Sequence, residues 1–110
     1  MVALLQAALR NMRASAGAFE HGDAISGSVM AEKAATIVLG LEGTLKDEVA
    51  PELCARLHDL YTFVACRLGM AGSKFSADHV YEAERVFGPI AEAFVEAAAR
   101  AQNAEASAPR

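Results

Sequence analysis

The chain has 110 residues, of which 54% are hydrophobic, and a formal net charge of −4 at pH 7. This length is typical of one domain, and a net negative charge without a cluster of Lys and Arg argues against a nucleic-acid-binding surface. Its apolar runs are shorter than the roughly 20 residues of a membrane span, and Met1–Leu9 lacks the basic start and cleavage site of a signal peptide. We therefore expect a cytoplasmic protein.

Two helices are predicted in the first 45 residues. The first runs from about Val2 to Glu20, because apolar residues recur there at spacings of three and four, and Gly22 is a plausible left-handed terminator. The second runs from about Ser28 to Leu45. Its expected core stripe consists of Met30, Ala34, Ile37, Leu41 and Leu45, and Val38 and Leu39 widen it.

Two further helices are predicted in the rest of the chain. The third begins near Pro51, which suits a first helical turn, and runs to about Met70, before a loop at 71–75. Its expected core stripe consists of Leu53, Leu57, Leu60, Val64 and Leu68, with Tyr61 and Phe63 at other angles. The fourth starts at Ser76 as N-cap and ends near Ala101, with a kink expected before Pro89.

The four segments predict an all-α fold. Short loops make neighbouring helices antiparallel, so residues 1–101 are expected to form an up-down four-helix bundle. Residues 102–110 are small and polar and are expected to form a disordered tail.

No catalytic or metal-binding pattern stands out. Cys54 and His58 lie four residues apart on one helix face, which could begin a zinc site, but no CxxC or HExxH motif accompanies them. Cys54 and Cys66 lie about 18 Å apart along one helix, too far for a disulfide. Glu48 and Glu52 are best explained as solvated charges. We expect no enzyme, no cofactor and no metal site.

The segment from Thr44 to Leu68 carries a family resemblance. It is similar to the pattern S-L-D-x-E-x-G-G-E-L-A-x-N-L-x-x-L-Y-D-Y-M-x-R-R-L of the flagellin export chaperones, the FliS family. The residues in register are Leu45, Glu48, Glu52, Leu53, Leu57, Leu60, Tyr61, Arg67 and Leu68. Residues 33–45 likewise resemble the family's K-A-x-x-I-I-x-E-L-x-x-S-L, and the resemblance covers about residues 2–96.

The departures fall mainly on polar and turn positions. Lys46, Ala50, Pro51, Thr62 and Cys66 replace an aspartate, two glycines, an aspartate and an arginine of the family pattern. The chain also starts at the first helix, whereas family members carry a preceding segment that can cover the client groove. The resemblance therefore indicates a divergent member that lacks this N-terminal segment.

The resemblance implies a cytoplasmic chaperone of flagellar type III secretion. Such a protein would bind the C-terminal segment of flagellin in an apolar groove and prevent premature polymerisation. The export apparatus could be a second partner, and a second copy of the chain could form a homodimer through the open groove. The alternative is a FliS-like regulatory module that binds a different flagellar or regulatory protein.

The apolar surplus of the second and third helices points to a client surface. A bundle helix needs one stripe for its core, and residues beyond that stripe can form a groove for a partner helix. The alternative is that all of these apolar residues belong to the core, since each helix of a four-helix bundle buries a wide face. The predicted client-binding residues are Val38, Leu39, Tyr61, Phe63, Arg67 and Met70.

Overall fold

The computed structural model describes residues 2–45, 48 and 50–107, apart from the side chains of residues 102 and 104–107. Four helices make up this part of the chain: α1 (Val2–Glu20), α2 (Ala24–Glu42), α3 (Pro51–Lys74) and α4 (Ala77–Ser107). The all-α class is as predicted. Lys46 and residues 108–110 of the predicted tail lie outside the described residues.

The helices form a closed ring in chain order. α1 packs on α2 and α4, and α3 packs on the same two helices from the other side. Side-chain contacts give the directions: the end of α2 reaches the first half of α3 through Glu42 and His58, whereas the start of α2 reaches the end of α3 through Ser28 and Gly72. Neighbouring helices are therefore antiparallel, which confirms the up-down four-helix bundle.

The core is built from one buried face of each helix. On α3 that face comprises Cys54, Leu57, Tyr61, Val64, Leu68 and Ala71. Tyr61 is 1% exposed, and its ring centre lies 6.1 Å from that of Phe87 on α4. Burial raises the pKa of the Tyr61 hydroxyl, because the apolar surroundings disfavour its charged form.

The predicted core stripe of α3 is therefore partly wrong. Leu53 and Leu60 are 56% and 38% exposed, while Tyr61 takes the central place. On α2, Val38 is fully buried and Ile37 is only partly buried, as is Leu45, which lies beyond the end of this helix. The reason is that each helix packs between two neighbours, so the centre of its buried arc depends on where those neighbours lie.

The first interhelical turn is built on Gly22 and Asp23. Gly22 has φ +79°, a left-handed conformation that favours glycine, as predicted. The Asp23 carboxylate accepts a hydrogen bond from the Ser26 backbone N–H at 3.1 Å and caps α2. Hydrogen bonds from the side chain and then the backbone N–H of Ser26 lower the pKa of Asp23. α2 consequently begins at Ala24, one turn earlier than predicted.

The later helices are longer than predicted. α3 continues through the expected 71–75 loop to Lys74, because Phe75 terminates it with φ 53°. α4 contains Pro89 within its span and continues beyond Ala101 to Ser107. α4 therefore ends later in the chain than the end predicted near Ala101.

α2 also meets the length and mean-hydropathy conditions of a membrane span, although its uninterrupted apolar runs are short. An 18-residue window in it has a mean hydropathy of 1.3. In the bundle, however, Ala31, Ala34, Val38 and Leu41 of this helix belong to the core. The core therefore accounts for part of the apolar character of α2, while Ile25, Val29 and Leu39 of the same helix are exposed.

Candidate docking groove

An apolar groove lies between the first half of α3 and the second half of α4. Its volume is about 310 Å³, and the described side chains that line it are all apolar: Leu53, Leu57, Ile90, Ala93, Phe94 and Ala97. Leu57 is a core residue, and Ile90 and Phe94 pack against the core at its edge. The floor of the groove is thus formed by residues of the core and its edge, and the groove is open to solvent.

The two flanks of α3 face different neighbours. Arg67 forms an ion pair with Glu82 of α4, whereas His58 and Thr62 both contact Glu42 of α2. Positions three and four residues apart lie on the same helix face. Leu53, Leu60 and Phe63 therefore share the α4 flank with Arg67, and they extend the wall of the groove along α3.

Arg67 is held in place at the end of this wall by three side chains. Its guanidinium lies over the Phe63 ring, 4.9 Å from the ring centre, a cation–π arrangement. Its Nε atom is 3.2 Å from Glu82 Oε2, and its Nη1 atom is 3.5 Å from Met70 Sδ. The other carboxylate oxygen of Glu82 lies 3.6 Å from Nδ1 of His79.

The six predicted client-binding residues separate into three groups. Phe63, Arg67 and Met70 come together as one surface cluster on α3. Leu39 is 53% exposed but belongs to α2. Val38 and Tyr61 are core residues, so the expectation that they widen an exposed surface is wrong: the neighbouring helices cover them.

The predicted client-binding residues include none of the described side chains that line the groove. Leu53 and Leu60 were expected in the core, because they recur at helical spacing with Leu57, Val64 and Leu68. A usable signal was present, since α3 carries two apolar stripes, one through Tyr61 and one through Leu53, Leu60 and Phe63. Only one of two such stripes can face the centre of the bundle, and the other lies on a flank of the helix.

His58 and both cysteines lie on α3. Nδ1 of the His58 ring lies 3.1 Å from Oε1 of the Glu42 carboxylate, which accepts a hydrogen bond when that nitrogen carries the proton, and the pair links α2 to α3. Cys54 is buried on α3, while Cys66 is exposed on the same helix. Among the described residues, no three His, Cys, Asp or Glu side chains are grouped so that they could hold a metal ion.

Comparison with known proteins places the chain in a family. A search of curated proteins returns no match to it. The family model described as "Flagellar protein FliS" matches residues 1–101, which span all of α1, α2 and α3 and most of α4. The chain therefore belongs to the FliS family of flagellar export chaperones, a family of binding proteins and not of enzymes.

Proposed function

We propose that this protein binds the C-terminal segment of flagellin in the cytoplasm and keeps it from polymerising before export. Family membership supports a chaperone role in flagellar export. The bundle adds an exposed apolar groove of a kind that takes the apolar face of an amphipathic helix. Occupying that face removes the surface through which client chains would associate with one another.

The observation that carries the proposal is the all-apolar lining of the α3–α4 groove. Ordering a disordered client costs about 2–5 kcal/mol of the gross interaction energy. Apolar burial contributes about 25 cal/mol per Å² of surface removed from water. A client helix must therefore bury apolar surface along much of the groove, and the exposed walls at Leu53 and Leu60 offer that surface.

The proposed client contacts combine the groove with part of the predicted set. Leu53, Leu60 and Phe63 would contact the apolar face of the client, with Arg67 and Met70 at the end of the wall. Leu39 lies on α2 and would form a separate contact with a longer client.

The proposal is tested by calorimetric titration with a peptide that covers the last helices of the cognate flagellin. We expect one peptide per chain and a gain of helicity in circular dichroism. The variant Leu53→Ser should weaken binding by about 1–3 kcal/mol, as expected for an exposed anchor at an interface.

The control variant is Ile25→Ser. Ile25 is 80% exposed near the start of α2, away from the groove, and its replacement should leave the affinity unchanged. No binding of the peptide at high micromolar concentration would favour the regulatory-module interpretation. Equal losses in both variants would place the client elsewhere. Sedimentation of the protein alone shows whether a second copy occupies the groove.

A further inference from the structure

The flank of α3 that faces α4 carries a stripe in which basic residues are interspersed among apolar ones. Its members recur at spacings of three and four, which places them on one helix face. We call this face the α3 stripe; it consists of Leu53, Arg56, Leu60, Phe63, Arg67, Met70 and Lys74. Three of these seven side chains are basic and none is acidic, although the whole chain has a net charge of −4.

The residues of this stripe lie outside the buried core of the bundle. The buried face of α3 is supplied by a different set of residues, centred on Tyr61. Leu53, Arg56, Leu60 and Lys74 are exposed, and Phe63 is at the limit of exposure with 36%. A solvated helix flank is usually polar throughout, so leucines and a phenylalanine at regular spacing between basic residues indicate a partner.

The basic residues have hydrogen-bonding capacity to spare. Among the described residues, no hydrogen bond or ion pair involves Arg56 or Lys74. Arg67 contacts one carboxylate and one thioether sulfur, while a guanidinium carries five N–H donors. Phe63, Met70 and Glu82 already hold the Arg67 guanidinium in place. Binding a carboxylate of a partner would therefore cost little further side-chain conformational entropy.

We propose that the α3 stripe seats an acidic amphipathic helix. Apolar residues of that helix would pack on Leu53, Leu60 and Phe63, beside the α3–α4 groove, and its carboxylates would reach Arg56, Arg67 and Lys74. Arg56 and Lys74 are separated by about 27 Å along the helix axis, so the partner helix needs about 18 residues. This inference rests on the proposed function, since it specifies the kind of client face that the groove selects.

The test uses two designed helical peptides of about 20 residues with identical apolar heptad positions. One carries Glu and the other Lys at the positions that flank the apolar stripe. We expect the Glu peptide to bind at least about 10-fold more tightly at low salt, because opposite charges at an interface select the partner and like charges oppose it. Raising the ionic strength should reduce that preference, since exposed charges are screened.

Variants of the protein separate the stripe from general electrostatics. The double variant Arg56→Gln/Lys74→Gln should weaken binding of the Glu peptide about 3- to 10-fold. Arg85→Gln is the matched control, because Arg85 is an exposed arginine on α4 outside the stripe and should leave the affinity unchanged. Unchanged melting temperatures in all variants show that the effect is on binding.

The outcomes are distinguishable from those of the proposed function. If the flagellin peptide binds but neither its affinity nor that of the Glu peptide responds to the double variant, this inference is overturned and the proposed function stands. If the Glu peptide binds through the stripe while the flagellin peptide does not bind, the proposed function fails and the docking face is retained. Equal affinity of the Glu and Lys peptides also overturns the inference.

Discussion

At the scale of single residues, two roles are open to Tyr61: contact with a client and packing in the core. Its position in the family signature made it a candidate for client contact. In the bundle its ring is buried against Phe87, so its first role is to fill the core between α3 and α4.

Replacing Tyr61 should therefore affect stability. We expect Tyr61→Ala to lower the free energy of unfolding by about 3–5 kcal/mol, because it opens a cavity in the core. Urea unfolding followed by circular dichroism measures the change. Phe63→Ala is the control: its side chain is 36% exposed, and it should lose less than about 1 kcal/mol. A melting temperature unaffected by Tyr61→Ala would place this ring outside the core after all.

α1 and α2 approach each other closely at Gly27. A Cβ atom built on it would lie 2.5 Å from the ring of Phe19, and the Gly27 carbonyl accepts a hydrogen bond from the buried Ser15 hydroxyl at 2.7 Å. The absence of a side chain thus permits both contacts.

Gly27→Ala should destabilise the bundle by about 1–3 kcal/mol, since the added methyl group overpacks this contact. Gly40→Ala in the same helix has open space around its Cβ position and should instead stabilise it by about 0.5–1 kcal/mol, because alanine is the better helix former. Thermal unfolding of the two variants compares them directly. Shifts of the same sign would contradict the close approach at Phe19.

At the scale of the helices, the ends are set by individual backbone conformations. α1 ends at a left-handed glycine, whereas α3 ends at Phe75, which adopts a left-handed conformation (φ 53°) although it has a side chain. This conformation costs a non-glycine residue about 1–2 kcal/mol. Phe75 is also 60% exposed, so little packing offsets that cost.

Phe75→Gly should therefore stabilise the protein by about 0.5–1 kcal/mol, the relief of strain being reduced by the greater freedom of glycine in the unfolded chain. Phe75→Ala keeps a Cβ atom and should give no gain. Chemical denaturation distinguishes the two. A loss of stability in Phe75→Gly would mean that the ring itself contributes to the turn.

The start of α2 depends on the Asp23 carboxylate. Its hydrogen bonds to Ser26 lower its pKa in the folded state, so the unfolded chain binds a proton more readily than the folded one. The resulting stabilisation is present above the unfolded pKa, near 3.8, and is lost as the pH falls through the lower folded pKa. We expect the difference in melting temperature between wild type and Asp23→Ala to shrink as the pH is lowered from neutral to below that range. A constant difference would exclude the carboxylate as the cause.

At the scale of the whole molecule, the α3–α4 groove is open to solvent and is lined, among the described residues, by apolar side chains. The free protein should therefore bind an apolar fluorescent dye at the α3–α4 groove, and the flagellin peptide should displace it. Leu53→Ser should reduce the dye signal while Ile25→Ser leaves it unchanged, which distinguishes the groove from isolated apolar residues. Dye binding unaffected by saturating peptide would show that the two occupy different sites.

The sequence by itself determined the fold class, the number and order of the helices, and the family. Apolar residues at spacings of three and four fix where helices form, and the Thr44–Leu68 pattern is local enough to be recognised without a structure. Gly22 was identified as a terminator because few residues other than glycine adopt its conformation readily.

Only the tertiary structure decided which apolar stripe faces inwards. α3 carries one stripe through Tyr61 and another through Leu53, Leu60 and Phe63, and both are compatible with a helix. The choice depends on the positions of α2 and α4 around it, which place Tyr61 against Phe87. The groove is likewise shared by α3 and α4, which are distant in sequence at the contact. Helix periodicity is a local property, whereas burial is set by the neighbours that the chain folding brings together.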